Sequence, residues 1–202
     1  DEVITANSAY EAYSMMQKKQ VDILITDVQM PYQSGLELIE AVSKEYPDVQ
    51  FSHATGTKAH TEGLDNFHNA FASIYDGRYL AGIVAGMKLN EMIANGDITE
   101  DQAKMGYVGA YTYAEVMSGY TSFFLGARSV CPSVTMDVTF TGSWYDETAE
   151  KEGANKLIED GCALISQHAD TTGASTACEK AGVPIVGYNL SLIHISEPTR
   201  QE

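Results

Sequence analysis

The chain has 202 residues, room for one large or two small domains, and 44% of them are hydrophobic, which argues for a packed core and against global disorder. Its formal net charge of −16 repels phosphate backbones and anionic membrane surfaces, so nucleic acid is set aside as a partner. No apolar run is long enough to span a bilayer, and the opening Asp1-Glu2 lacks the basic-then-apolar form of a signal peptide.

In chain order, Ser8-Ala9-Tyr10-Glu11 has the Ser-x-x-Glu form of a capping box and predicts a helix to about Lys19. The run Val21–Asp27 reads as a buried strand. Met30-Pro31 breaks the chain, and Ser34-Gly35-Leu36-Glu37 opens a second capped helix that Pro47 stops. Val49–His53 suits a short strand, and Ala54–Asp65 is polar enough for a loop. Tyr79–Ala94 is a helix closed by Asn95-Gly96, with Gly82 and Gly86 on one face for close packing against a sheet. Strands are then predicted at Met105–Ala110, Val134–Thr141, Cys162–Gln167 and Val183–Tyr188. Helices at Tyr113–Arg128, Asp146–Asp160 and Gly173–Ala181 alternate with them, which implies parallel pairing through right-handed crossovers. The alternation of Val134, Met136, Val138 and Phe140 with Thr135, Asp137, Thr139 and Thr141 places that strand at a sheet edge. The fold class is therefore α/β.

In such sheets ligands bind beyond the carboxyl ends of the strands, here Tyr111, Ser143-Trp144, Gln167-His168-Ala169-Asp170 and Tyr188-Asn189. Trp144, the sole tryptophan, suits stacking on a flat heterocycle, or packing against the next helix. Asp170 and Asn189 suit paired sugar hydroxyls, while Asp170 is alternatively a helix cap and Asp146 reads as one. His168, two residues before Asp170, is expected to hydrogen-bond a ligand or the backbone. A hydrolytic pair is the rival reading, but no nucleophile elbow accompanies it, and no catalytic residue is assigned. Cys131, Cys162 and Cys178 have no metal-ligand spacing, leaving free thiols or one disulfide plus one thiol open. No metal and no cofactor are expected.

Three resemblances divide the chain. Asp27 at a strand end, followed by Met30-Pro31 and Gly35, resembles part of a flavodoxin-like response-regulator receiver over residues 1–46. The resemblance implies that Asp27 is a phosphoacceptor, inactive here because the metal-holding acids and the later strands are missing. Over residues 49–189 the chain resembles the basic-membrane-protein (BMP) family of ABC transporter substrate-binding lipoproteins. The carriers are His53-Ala54-Thr55-Gly56, Asn66-Phe67, Gly77-Arg78-Tyr79-Leu80-Ala81-Gly82, Gly142-Ser143-Trp144-Tyr145-Asp146, Gln167-His168-Ala169-Asp170 and Val186-Gly187-Tyr188-Asn189. This resemblance implies a type I periplasmic-binding-protein fold, with the end of the first lobe and most of the second. It also implies a purine nucleoside or similar ligand, a membrane permease as partner, and an extracytoplasmic, lipid-anchored location. Trp144 would stack on the base, Asp170, Asn189, His168 and Tyr111 would line the cleft, and Asn66 and Phe67 would lie near hinge or rim. The family's nucleoside receptors carry Asp where this chain has Asn189. Leu190–Arg200 resembles the in-frame translation of a transposase sequencing adapter, so residues 190–202 are expected to be an artefactual tail and the whole a chimera.

Overall fold

The computed structural model describes residues 3–21, 24–26, 32–54 and 59–189, which form two compact units, Asp1–Ala72 and Ser73–Glu202. Among the described residues no helix is long and apolar enough to cross a membrane.

In the first unit, Ser8 starts α1 (Ala9–Met16) by accepting the Glu11 N–H at 3.2 Å, but the Glu11 carboxylate takes the Asn7 N–H at 2.8 Å instead of returning to Ser8. The expected capping box is thus half formed. The second box is complete: Ser34 Oγ accepts the Glu37 N–H and the Glu37 carboxylate accepts the Ser34 N–H, opening α2 (Gly35–Glu45). Strand β1 (Phe51–Ala54) pairs in parallel with β2 (Phe67–Ala70), Phe51 opposite Phe67. The single-turn α3 (Ala59–Glu62) lies within the segment expected to be loop. Residues on both sides of positions 46–49 share one core, in which Phe51 and Phe67 join Ala9, Met16, Leu38, Ile39 and Val42. The buried Asn66 amide joins these parts, donating to the carbonyls of Ser43, Tyr46 and Val49 at 3.1, 3.2 and 2.9 Å.

The strand expected at Val21–Asp27 does not form among its described residues. Val21 and Leu24 pack on the core, while Ile25 is 91% exposed. A strand exists only by pairing, and among the described residues β1 and β2 pair with each other alone. Asp27, Met30-Pro31 and Thr55-Gly56 lie outside the described residues, as does the tail 190–202.

The second unit opens with α4 (Ile74–Asn95), one turn earlier than expected. The helix closes at Gly96, whose φ of +80° suits only a residue without Cβ, and the Asp97 N–H reaches back to the Met92 carbonyl. There follow β3 (Lys104–Gly109), α5 (Ala114–Val130), β4 (Thr135–Phe140), α6 (Glu147–Glu159), β5 (Leu164–His168), α7 (Gly173–Ala181) and β6 (Ile185–Val186). The four strands form one parallel sheet in the order β4-β3-β5-β6, with β4 at the edge as the alternation predicted. The last strand is shorter than Val183–Tyr188, because only Ile185 and Val186 find partners on β5.

Helices α4 and α5 cover one face of this sheet through Ala85, Leu89, Phe123 and Ala127 against Met105, Tyr107 and Leu164. Helices α6 and α7 cover the other through Ala154, Leu157, Ala174 and Ala177 against Val108 and Ile165. The glycine face of α4 meets α5, not the sheet. A Cβ on Gly82 would collide with the Phe123 carbonyl, and one on Gly126 of α5 with the Tyr79 carbonyl. Glycines on both helices let two backbones touch, a closer fit than a helix makes with a sheet of branched side chains. Cys131, Cys162 and Cys178 are free and buried.

Gly126→Ala is expected to destabilise the second unit by about 1–3 kcal/mol in urea unfolding, against the roughly 1 kcal/mol gain the same change gives in an unobstructed helix. Asn66→Ala takes the amide donor from the Ser43 and Val49 carbonyls, while that of Tyr46 keeps the Val49 N–H, and a loss of about 1–3 kcal/mol is expected in the first unit, read as earlier hydrogen exchange of α2.

Candidate functional site

The carboxyl ends of β3, β4, β5 and β6 lie along one edge of the sheet because all four strands are parallel. The loop leaving β3 runs into α5 on one face and the loop leaving β5 runs into α7 on the other, so a crevice opens between adjacent strands, where open α/β sheets hold ligands. Backbone pairing continues past the strands: the Ala110 N–H donates to the His168 carbonyl and the Gly142 N–H to the Ala110 carbonyl. Tyr111, Trp144, His168, Asp170 and Asn189 are thereby brought together.

The contacts are specific. The Asp170 N–H donates to the Trp144 carbonyl at 2.8 Å, and Asn189 Nδ2 donates to Asp170 Oδ1 at 2.9 Å. Asn189 holds a left-handed φ of +50°, which Asn tolerates better than most residues. Trp144 is half-buried among rings, with centroids 5.9 Å from Tyr111 and 6.0 Å from His168. Tyr111 stacks on Tyr113 at 4.9 Å and 17°. Asp170 is no helix cap: Thr172 holds the N-cap position of α7. Asp146 does cap α6, accepting the Ala149 N–H at 2.9 Å.

The loop that carries Asp170 is braced from beneath. Gln167 Nε2 donates to the carbonyls of Ala169 and Thr171, both at 2.9 Å, and the wholly buried Glu150 accepts the Thr171 N–H with both oxygens, at 3.1 and 3.3 Å. Burial, with the Asp170 charge adding to it, raises the Glu150 pKa against the pull of these bonds. Burial and then Asp170 also raise that of Glu115.

Behind the loop stands a residue that carries the family resemblance but to which the sequence alone assigned no role in the site. Arg78, buried in the second turn of α4, donates to the Gln167 carbonyl at 2.9 Å. Its guanidinium lies 4.6 Å from the Tyr188 ring centroid and 5.6 Å from that of Tyr107. Among the described residues it makes no ion pair. An Arg whose helical neighbours Gly82 and Ala85 face inward was the available signal.

The Tyr188 ring centroid lies 4.3 Å from that of His168, and Tyr107 Oη is 3.3 Å from His168 Nδ1. His168 is fully buried, its Nε2 has no partner among the described residues, and burial followed by the Arg78 charge lowers its pKa to about 3. A buried polar atom left unpaired costs about 1–3 kcal/mol. No hydrogen bond joins His168 to Asp170 among the described residues, so the geometry lacks the relay a hydrolytic pair requires. Cys162 and Cys178, their thiols raised to about 11 by burial, offer no nucleophile.

Asn66 and Phe67 lie in the first unit, where the amide ties backbone carbonyls and the ring fills the core.

Among known proteins, one relative is a Haloferax volcanii protein ascribed a glucose-binding role in an ABC transporter, 38% identical over 149 residues, 74% of this chain and 34% of the relative. A purine-binding protein of Brucella abortus is 35% identical over 159 residues, 79% of this chain and 41% of the relative. The chain thus spans well under half the length of these two. A shorter match, 49% identical over 51 residues, joins 25% of the chain to YesN, an uncharacterised transcriptional regulatory protein of Bacillus subtilis. The fold is that of a solute-binding protein of an ABC transporter system from Aeropyrum pernix, with a TM-score of 0.64 at 22% identity over 90% of this chain and 50% of the other. The model of the Bmp family, ABC transporter substrate-binding protein PnrA-like, matches residues 2–197, across both flanking segments, and the chain belongs to that family.

Proposed function

We propose that the second unit supplies one wall of a solute site and that the whole protein delivers a small neutral ligand to a membrane permease. The observation that carries this is the convergence of Trp144, Tyr111 and the Asp170–Asn189 pair on one sheet edge. An indole beside a carboxylate–amide pair suits a flat heterocycle joined to a sugar: the ring stacks, and vicinal hydroxyls bridge Asp170 and Asn189. The Asp170 carboxylate, with Glu115 near enough to feel its charge, opposes an anionic ligand. A purine nucleoside meets these demands, and the Brucella relative is described as purine-binding. Glucose is the second reading, supported by the role ascribed to the Haloferax relative and by the same aromatic rings and Asp170 carboxylate. With His168 neutral near pH 7 and outside any relay, binding without chemistry is the function this wall fits.

In the same reading, residues 1–46 derive from a receiver and residues 190–202 from an adapter, the YesN match being of a length that suits the first of these. Sequencing of unamplified source DNA across codons 44–51 tests it, and an intact genomic frame would refute it.

Adenosine titrated into the full chain is expected to change Trp144 emission saturably, with glucose giving a weaker response or none. In calorimetry, Trp144→Ala should weaken adenosine binding about 3–10-fold and Asp170→Asn about 10-fold or more. Saturation by glucose alone would move the assignment to a sugar. The absence of any saturable response to either would remove the solute-site reading.

A further inference from the structure

Resting on the solute-site reading, the unpaired ring nitrogen of His168 points to one specific polar contact and to the residues that prepare it. We propose that Arg78 adds to burial in keeping His168 a neutral imidazole and that Tyr107 sets its proton on Nε2, so that this N–H is the donor that selects ligands bearing a hydrogen-bond acceptor on a flat ring.

The tautomer follows from counting partners. Among the described residues, Tyr107 Oη is the one hydrogen-bond partner of Nδ1, at 3.3 Å. If the phenol donates to Nδ1, every polar atom of the pair is satisfied except Nε2–H. If Nδ1 carries the proton instead, the phenol hydrogen and Nε2 are both left without partners. The first arrangement strands one group and the second strands two, inside a site where such groups are costly. Burial also holds the phenol in its protonated form, able to donate.

Arg78 supplies the charge. Its guanidinium lies against the rings of Tyr188 and Tyr107, two of the aromatic residues packed on His168, and a fixed cation there opposes a second cation on the imidazole. Its bond to the Gln167 carbonyl fixes the backbone immediately before His168. Arg78 is thus a positioning residue, acting through His168 and not on the ligand. Trp144 and Tyr188 flank His168 from two strand-end loops and both are half-buried, so a planar ligand reaches the enclosed Nε2 by displacing one of these rings. A nucleobase ring nitrogen presents the acceptor this N–H needs.

The test uses the full chain labelled with 15N, with His168→Phe identifying the resonance among the five histidines. At pH 7, Nε2 is expected to be protonated and Nδ1 pyridine-like. Tyr107→Phe should give a mixture of tautomers. Arg78→Met should raise the proton affinity of His168 at least tenfold, and Arg78→Lys, which keeps the charge, should largely restore it. A wild-type Nδ1–H tautomer, or a His168 titration unmoved by Arg78→Met, overturns the proposal whether or not any ligand binds. In the ligand arm, adenosine is compared with its 1-, 3- and 7-deaza analogues, each lacking one ring acceptor. Wild type should lose at least tenfold in affinity for one of them, and His168→Phe should bind that analogue and adenosine alike. Discrimination that survives in His168→Phe overturns the selecting role. Failure of wild type to bind adenosine or glucose at all sinks the solute site itself, and the tautomer measurements still judge the roles of Arg78 and Tyr107.

Discussion

Parallel pairing of β3 with both β4 and β5 is the constraint on which the rest of the second unit depends. Each parallel pair needs a crossover, and each crossover lays a helix on a face. Because β3 leads to α5 on one side while β5 leads to α7 on the other, the loops at their carboxyl ends diverge and leave a crevice. An antiparallel neighbour would have put its loop at the opposite edge and removed its side chains from the wall.

The faces of the sheet are held in different ways. On one, α4 and α5 touch backbone to backbone through Gly82, Gly86 and Gly126, a fit that admits no added methyl group. This fixes α4 closely, and with it Arg78, one turn before Gly82. On the other, Glu150 of α6 reaches under the sheet's rim to accept the Thr171 N–H, and Gln167 closes the same turn from within. The loop that presents Asp170 is braced by buried polar bonds, and in the proposed solute site such a frame would hold Asp170 in place before a ligand arrives.

The first unit works by other means. Its two short strands and capped helices are joined by one amide, Asn66, whose hydrogens serve three carbonyls where α2 ends and β1 begins. Residues of α1 and α2 and residues of β1 and β2 meet in the same core around Phe51 and Phe67. The family match likewise runs through both.

Much of this was legible in the residues. Strand–helix alternation after Tyr79 determined the parallel sheet, the polar alternation of Thr135, Asp137 and Thr139 determined its edge strand, and the strand ends named Tyr111, Trp144, His168, Asp170 and Asn189 as neighbours. These are local periodicities, and a periodicity of two or of 3.6 residues is carried by the chain itself. Tertiary structure alone decided that the glycines of α4 face a helix, that Val21 to Thr26 forms no strand in its described part, and that Arg78 and Tyr107 stand behind His168. Each of those depends on residues distant in the chain: a partner helix, the lack of a pairing strand among the described residues, and a cation 89 positions before the carbonyl it binds. A sequence pattern reports which face of an element is apolar, and only the assembled fold supplies what that face meets.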